Sequence, residues 1–421
     1  MSTESVADRV SDPATDPAQE AMPAQTLDVA AERARTPGAT ESHHLNAAGA
    51  ALPTAAVVDA VVGHLRLEER DGGYEAAAAV ADRVDAVYDG IADLVGGRAS
   101  EIALFDTATT GLRVLVDALV SGGSVRLLVS RSAYVSHALH LMTHARRTGA
   151  ELEILPLDPA TGAVDLGALE TTLRAGGPAI VFVAHLPTSS GLVEPVTEIG
   201  ALARRHGARF VVDATQSVGH LAVDVGAIGC DVLVTTGRKF LRAPRGTAFA
   251  WVHPDVLPVL EPTAPDVRGA AWTADREWTL AATARRFETW EHSVACRLGL
   301  GVAVRETTER GIDATAAHLV SLGASLREQL RERAGVTVRD PASSASGMVT
   351  FTVDGVDPAE VKIRLAAARV RVVTVPASHG RWDLGARGVP AVVRASVHVY
   401  NDAADVDALL TVVDAITREA R

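Results

Sequence analysis

The sequence predicts an α/β protein with a large domain followed by a smaller one, and three observations carry this. At 421 residues the chain exceeds what one small core organises. Its middle alternates short β-branched runs with helical stretches, the pattern of a largely parallel sheet covered on both faces. Its last third repeats that alternation on a smaller scale, after a long helical stretch.

The elements follow in order. Residues 1–40 are rich in Ala, Asp, Glu, Pro and Thr without periodicity and are expected to form a flexible extension. The character changes at His44, and residues 41–65 are read as a segment packing with the small domain. A helical pattern begins by Thr54 and continues, broken at Asp71-Gly72-Gly73, towards Val95. Strands are expected at Arg126 to Ser130, Glu151 to Leu155, Ala179 to Ala184, Arg209 to Asp213, Asp231 to Thr235 and Thr247 to Val252. They assign 66–298 to the large domain. Helical patterning from Ser293 to about Arg333 then leads into strands at Met348 to Val353, Val370 to Val375 and Ala391 to Val399, within a small domain at 299–421. No internal repeat interrupts this order.

Composition narrows the function. A net charge of −12 without a dense Lys/Arg tract disfavours nucleic acid and points to a small-molecule substrate. No apolar run reaches the roughly 18–20 residues of a membrane helix, and the start lacks signal-peptide regions, so a cytoplasmic protein away from membranes is expected. Cys230 and Cys296 have no paired spacing and read as plain buried thiols. His43, His44, His137, His185 and His398 form no metal-ligand spacing, and no metal is expected.

The chemistry concentrates at two strand ends, where open α/β sheets gather ligands. In Thr235-Thr236-Gly237-Arg238-Lys239-Phe240 a lysine follows a strand; burial and neighbouring cations there would expose an amine able to form an imine with an aldehyde cofactor. Alone, such a lysine reads as solvated. Upstream, Phe210-Val211-Val212-Asp213-Ala214-Thr215-Gln216-Ser217 ends a strand in an acid, which alone reads as a helix N-cap. Together they supply what pyridoxal-5′-phosphate (PLP) requires: an imine lysine, and a carboxylate that keeps the pyridine ring protonated as an electron sink.

These segments resemble the class V aminotransferases and cysteine desulfurases of PLP fold type I. The resemblance runs from about His44 onward. It includes Leu45-Asn46-Ala47-Ala48-Gly49, His185-Leu186-Pro187-Thr188-Ser189-Ser190-Gly191, Pro244-Arg245-Gly246-Thr247, Arg286-Phe287-Glu288-Thr289 and Arg394-Ala395-Ser396-Val397-His398. It implies a mostly parallel sheet of the seven-stranded type, PLP as cofactor, and a homodimer with a shared active site. It further implies that Ala108, Thr109 and Thr110 open a helix receiving the cofactor phosphate, as a helix N-terminus suits an anion. Thr236 and Arg238 add phosphate contacts, Tyr134 stacks on the ring, and Thr188 and Gln216 bond its phenolic oxygen. Arg394 grips the substrate α-carboxylate with Asn46 nearby, and Thr289 reaches a partner's phosphate.

Desulfurases of this family attack sulfur with a cysteine on the loop before that arginine, whereas Val375 to Pro390 contains none. Gly72-Gly73-Tyr74-Glu75, Phe287-Glu288-Thr289-Trp290-Glu291 and Ser293-Val294-Ala295 are similar to isopenicillin N epimerase-like proteins and to cysteine S-conjugate lyases of ergothioneine and lincosamide pathways. The resemblance thus implies a C–S β-lyase in secondary or thiol metabolism, with Lys239 as the base at the α-carbon. The alternatives are transamination, epimerisation or decarboxylation-coupled deamination in antibiotic biosynthesis, or a catalytically silent binding protein. The loop Ser378-His379-Gly380-Arg381-Trp382-Asp383 lines the substrate site or forms a surface connection.

Overall fold

A segment without an apolar stripe can still fold when buried charges anchor it. In the computed structural model, which describes residues 26–121 and 125–421, the amino-terminal part does so. Helix α1 (Val29–Ala34) is capped by Asp28, whose side chain accepts from the Ala31 amide. Its Glu32, buried, meets Arg242 Nη1 at 2.9 Å and Arg310 Nη1 at 3.5 Å, and its Arg33 bonds the Tyr400 carbonyl and Asp405. The expected flexible extension therefore does not reach residue 40. Composition misses this because three ionic side chains, not periodic leucines, hold the helix; residues 1–25 lie outside the described part.

Residues 43–52 lie against the small domain: His43-His44 pair in parallel with Val370-Arg371, and Asn46 bridges to Ser396. Beyond Thr54, which caps the next helix through the Val57 amide, α2 (Ala55–Asp71) packs instead on a long helix of the large domain. The segment packing with the small domain thus ends before residue 55, not at 65. An 18-residue window within Ala47–Asp71 has a mean hydropathy of 1.4, enough for a membrane span by length and composition alone. The stretch is not one continuous helix: residues 51–54 break it, since Pro53 restricts the residue before it and withholds an amide.

The large sheet comprises β1 (Ile102–Phe105), β2 (Arg126–Val129), β3 (Leu152–Ile154), β4 (Ala179–Ala184), β5 (Arg209–Asp213), β6 (Val232–Thr236) and β7 (Ala248–Val252), in spatial order β1-β7-β6-β5-β4-β2-β3. β2 to β6 run parallel, while β7 is antiparallel to both β6 and β1. The central strands β4 to β7 are buried along nearly their whole length, so they read as continuous apolar runs. Helices α3 (Ala81–Val95), α4 (Ala108–Val120), α5 (Val135–Thr148) and α6 (Val196–Arg205) serve the two faces. Strand β1 was not foreseen; the buried Glu288 carboxylate, which accepts from the Leu104 amide and from Tyr88, pins it beside β7. A hairpin of Ala270–Ala274 and Glu277–Leu280, equally unforeseen, carries the exposed Trp272 and Trp278.

The predicted helical stretch splits at Gly311 into α7 (Val294–Arg310) and α8 (Ile312–Arg331). α7 packs on α2 and α3, so the boundary expected at 299 falls inside a large-domain helix. The small domain folds around a four-stranded antiparallel sheet of 336–338, 348–353, 391–396 and 373–376, in that order, with helices Pro358–Ala367 and Ala403–Glu419 over it. A stack of buried rings ties the domains together: His220 lies 4.0 Å from Phe240, Phe240 5.6 Å from His398, and His398 5.2 Å from Tyr400.

Candidate active site

The carboxyl ends of β4, β5 and β6 open on a cavity of about 590 Å³, closed from the other side by Val373 to Val375, His379 and Arg394 of the small domain. Each wall follows from local sequence. After β6, Gly237 turns the chain where a Cβ would stand 2.2 Å from Thr247 Oγ1 and 2.8 Å from Ala243 Cβ, so only glycine fits. The turn delivers Lys239 into the cavity. Burial, then Arg238 and Arg394, draws the Lys239 ammonium well below its ordinary value, with Asp213 opposing. The shift favours the neutral amine, the form able to act as nucleophile or base.

Asp213 ends β5 and is not a helix N-cap: its Oδ1 accepts from the Thr215 amide at 3.0 Å within a turn. Its Oδ2 faces His137 Nδ1 at 3.0 Å. Burial works to raise the Asp213 carboxyl, but His137 and Thr215 outweigh it and bring it below the ordinary range. The carboxylate stays charged in the cavity floor. Arg394, on the strand 391–396, donates through Nη1 to Thr188 Oγ1 at 2.7 Å and to the Thr188 carbonyl at 3.0 Å. Burial, then Arg238, lowers its guanidinium to about 10, so it remains a cation at neutral pH.

Of the residues expected at the site, Ala108, Thr109, Tyr134, Thr188, Asp213, Gln216, Thr236, Arg238, Lys239 and Arg394 all line this cavity. Three do not. Thr110 turns towards Thr107, whose Oγ1 accepts from the Thr110 amide at 3.0 Å and so caps α4. Asn46 stands behind Ala48 and Gly49, with its buried Oδ1 unpartnered. Thr289 is exposed and away from the cavity, bonding the Glu291 carbonyl. Sequence reasoning did not assign Ser132, His137, Thr215 or Arg245 to the site, although all four line it, and of the loop read as either lining the substrate site or forming a surface connection, His379 lines it. For His137 the signal was present: it falls one turn after Tyr134, at the start of a helix following a strand of the same sheet.

The loop before Arg394 is fixed to the large domain. Ser189 Oγ donates to Asp383 at 2.5 Å, Arg131 to the Trp382 carbonyl, and Gly380 abuts Ser189. Beside it a second cavity of about 250 Å³ shares Ser132 with the first and is bordered by Glu194. Glu194 Oε2 accepts from the Val164 amide, Oε1 is unpartnered, and burial pushes its carboxyl up to about 7.

The cavity fits PLP on the structure's own terms. It offers the buried Arg394, the half-buried Arg238 and the exposed Arg245 for a phosphate and a carboxylate, a charged acid at a strand end for a ring nitrogen, and a lysine for the aldehyde. Gln216 Oε1, Thr215 Oγ1 and Arg394 Nε are buried polar atoms on its walls without protein partners, as a site shaped for a polar ligand requires. Among the described residues no cluster of three or more His, Cys, Asp or Glu is arranged for a metal.

Comparison with known proteins leads to the same cofactor. A "probable hercynylcysteine sulfoxide lyase" of Mycobacterium tuberculosis is 31% identical over 379 residues, 89% of this chain and 90% of that one. The structure of a cysteine desulfurase from Thermococcus onnurineus superposes with a TM-score of 0.86 at 23% identity, covering 94% of this chain and all of that one. The cystine C–S lyase C-DES, solved with glycine covalently linked to its PLP cofactor, superposes with a TM-score of 0.81 at 21% identity, over 91% of this chain and 99% of that one. The family model "Aminotransferase class-V" matches residues 43–409. The chain is a PLP-dependent enzyme and belongs to the class V aminotransferase family.

Proposed function

We propose that this protein is a C–S β-lyase acting on a cysteine S-conjugate in thiol or secondary metabolism. The observation that carries the reading is a complete lysine, aspartate and arginine set facing a loop, residues 375–390, that holds no cysteine. The name of the M. tuberculosis relative supports it.

Bound PLP supplies an electron sink for the substrate α-carbon. Arg394 presents a guanidinium whose Nε lacks a protein partner, suited to a two-pronged grip on an amino-acid carboxylate. Lys239, held by burial with a depressed ammonium, takes the α-proton as base. Asp213 keeps its negative charge against the ring nitrogen. With no protein thiol on the 375–390 loop to receive sulfur, the C–S bond breaks with its electron pair leaving on sulfur. The released thiolate picks up a proton, and the three-carbon remainder takes up water to give pyruvate and ammonia.

Two further readings accompany this one. The exposed Val58, Val62 and Leu65 of α2, with Trp272 and Trp278 of the hairpin, are apolar surface suited to a second copy of the chain, and Thr289 is free to face that copy's site. A cytoplasmic location is part of the same proposal, as the setting of small-molecule thiol metabolism.

The test uses purified wild type and Lys239→Ala with PLP. Wild type is expected to show a visible absorbance band that the variant lacks, and to release thiol and pyruvate in equal amounts from a cysteine S-conjugate. A band without those products would remove the lyase reading and turn attention to transamination.

A further inference from the structure

We infer that His137 is a positioning residue that fixes Asp213 for the cofactor's ring nitrogen. The inference rests on the reading of Asp213 above, but not on which reaction follows.

His137 occupies the first turn of α5, its amide bonded to the Tyr134 carbonyl. Side chains in a helix tilt towards its N-terminus, so the imidazole reaches back to the carboxyl ends of β4 and β5. There Nδ1 stands 3.0 Å from Asp213 Oδ2, with both side chains only 4% exposed. The ring is wedged edge-on between Phe182, 5.7 Å away, and Tyr134, 5.9 Å away. Its N–H is tilted off the line to the oxygen, and neither ring nitrogen has an aligned hydrogen-bond partner among the described residues. A buried imidazole so placed is costly unless it serves the one acceptor within reach.

The geometry divides the carboxylate between two neighbours. Oδ1 accepts from the Thr215 amide and Oδ2 faces His137, while Asp213 itself lines the cavity. His137 thus presents a donor to Asp213 from a fixed position. Packing against Phe182 and Tyr134 would hold the acid in one orientation before PLP arrives.

The experiment compares His137→Asn, whose amide can donate from nearly the same place, with His137→Leu, which fills the space but cannot donate. Asp213→Asn serves as reference. The readouts are the PLP dissociation constant, the pH dependence of the visible absorbance band, and the thermal stability of each protein without PLP. His137→Leu is expected to weaken PLP binding about ten- to a hundredfold, the worth of a charge-assisted hydrogen bond, and to shift the band's pH dependence. His137→Asn should stay within about threefold of wild type, since it restores the donor. Two outcomes overturn the inference: His137→Leu binding PLP like wild type with an unchanged band, or both variants weakened equally alongside a fall in PLP-free stability. If Asp213→Asn itself changes neither affinity nor spectrum, the reading of Asp213 fails first, and that result is separable from the other two.

Discussion

At the scale of single residues, the site is a set of groups held away from their solution behaviour. Arg394 is the simplest to test. A lysine keeps the charge but not the planar fork, so Arg394→Lys should raise KM for the amino-acid substrate tenfold or more, with a smaller change in kcat, in steady-state assays at several substrate concentrations. Gly237→Ala places a methyl group against Thr247 and Ala243; a loss of about 1–3 kcal/mol is expected, read as a lower Tm. Glu194 adds a pH effect. Its carboxyl is raised in the fold from an ordinary 4.5 to about 7, so the folded protein holds that proton more tightly than the unfolded chain does. The stabilisation is complete below the unfolded value and is lost as pH rises through about 7. Glu194→Gln should therefore be the more stable protein at pH 8, by up to about 3 kcal/mol, with a much smaller gain at pH 5, as denaturant titrations at the two pH values would show.

At the scale of elements, legibility followed the kind of force that makes each one. Buried parallel strands write themselves as Val-rich runs, and β4 and β5 appear where expected to the residue. The catalytic candidates at their ends were legible for the same reason, since Asp213 and Lys239 are polar residues that interrupt apolar text. Strand β1 escaped because its place at the sheet edge depends on Glu288, nearly 200 positions away. The hairpin 270–280 escaped because it packs little against its own chain, leaving its tryptophans outside. Helix α1 escaped because two arginines from distant segments hold it. His137 was seen but not understood, as one histidine on a helix reveals nothing until the strand end beneath it is known. For α1 the structure makes a direct prediction. Replacing Glu32 by Ala strips Arg242 and Arg310 of their shared carboxylate. Unpairing buried charges costs about 3–5 kcal/mol, which differential scanning of wild type and Glu32→Ala would detect.

At the scale of the whole molecule, two domains and one seam make the pocket. Lys239 and Asp213 come from the large domain, Arg394 from the small one, and the ring stack from His220 to Tyr400 runs through Phe240, the neighbour of Lys239. Rigid positioning of the two halves is thus built next to the reacting groups. The apolar faces left outside, on α2 and the hairpin, should be covered in a dimer. Light scattering coupled to size exclusion is expected to give twice the chain mass, and Trp272→Glu combined with Trp278→Glu to reduce it.

The attachment of α1 also bears on how the chain comes together in time. Arg33 and Glu32 are among the first described residues to be synthesised, yet their partners Arg242, Tyr400 and Asp405 follow 210 to 372 positions later. The first helix among the described residues must therefore wait, unsatisfied, until the start of the last one has emerged. It docks as a closing step, over a long entropic loop that slows contact formation. Its amides should accordingly exchange with solvent earlier than those of the central strands.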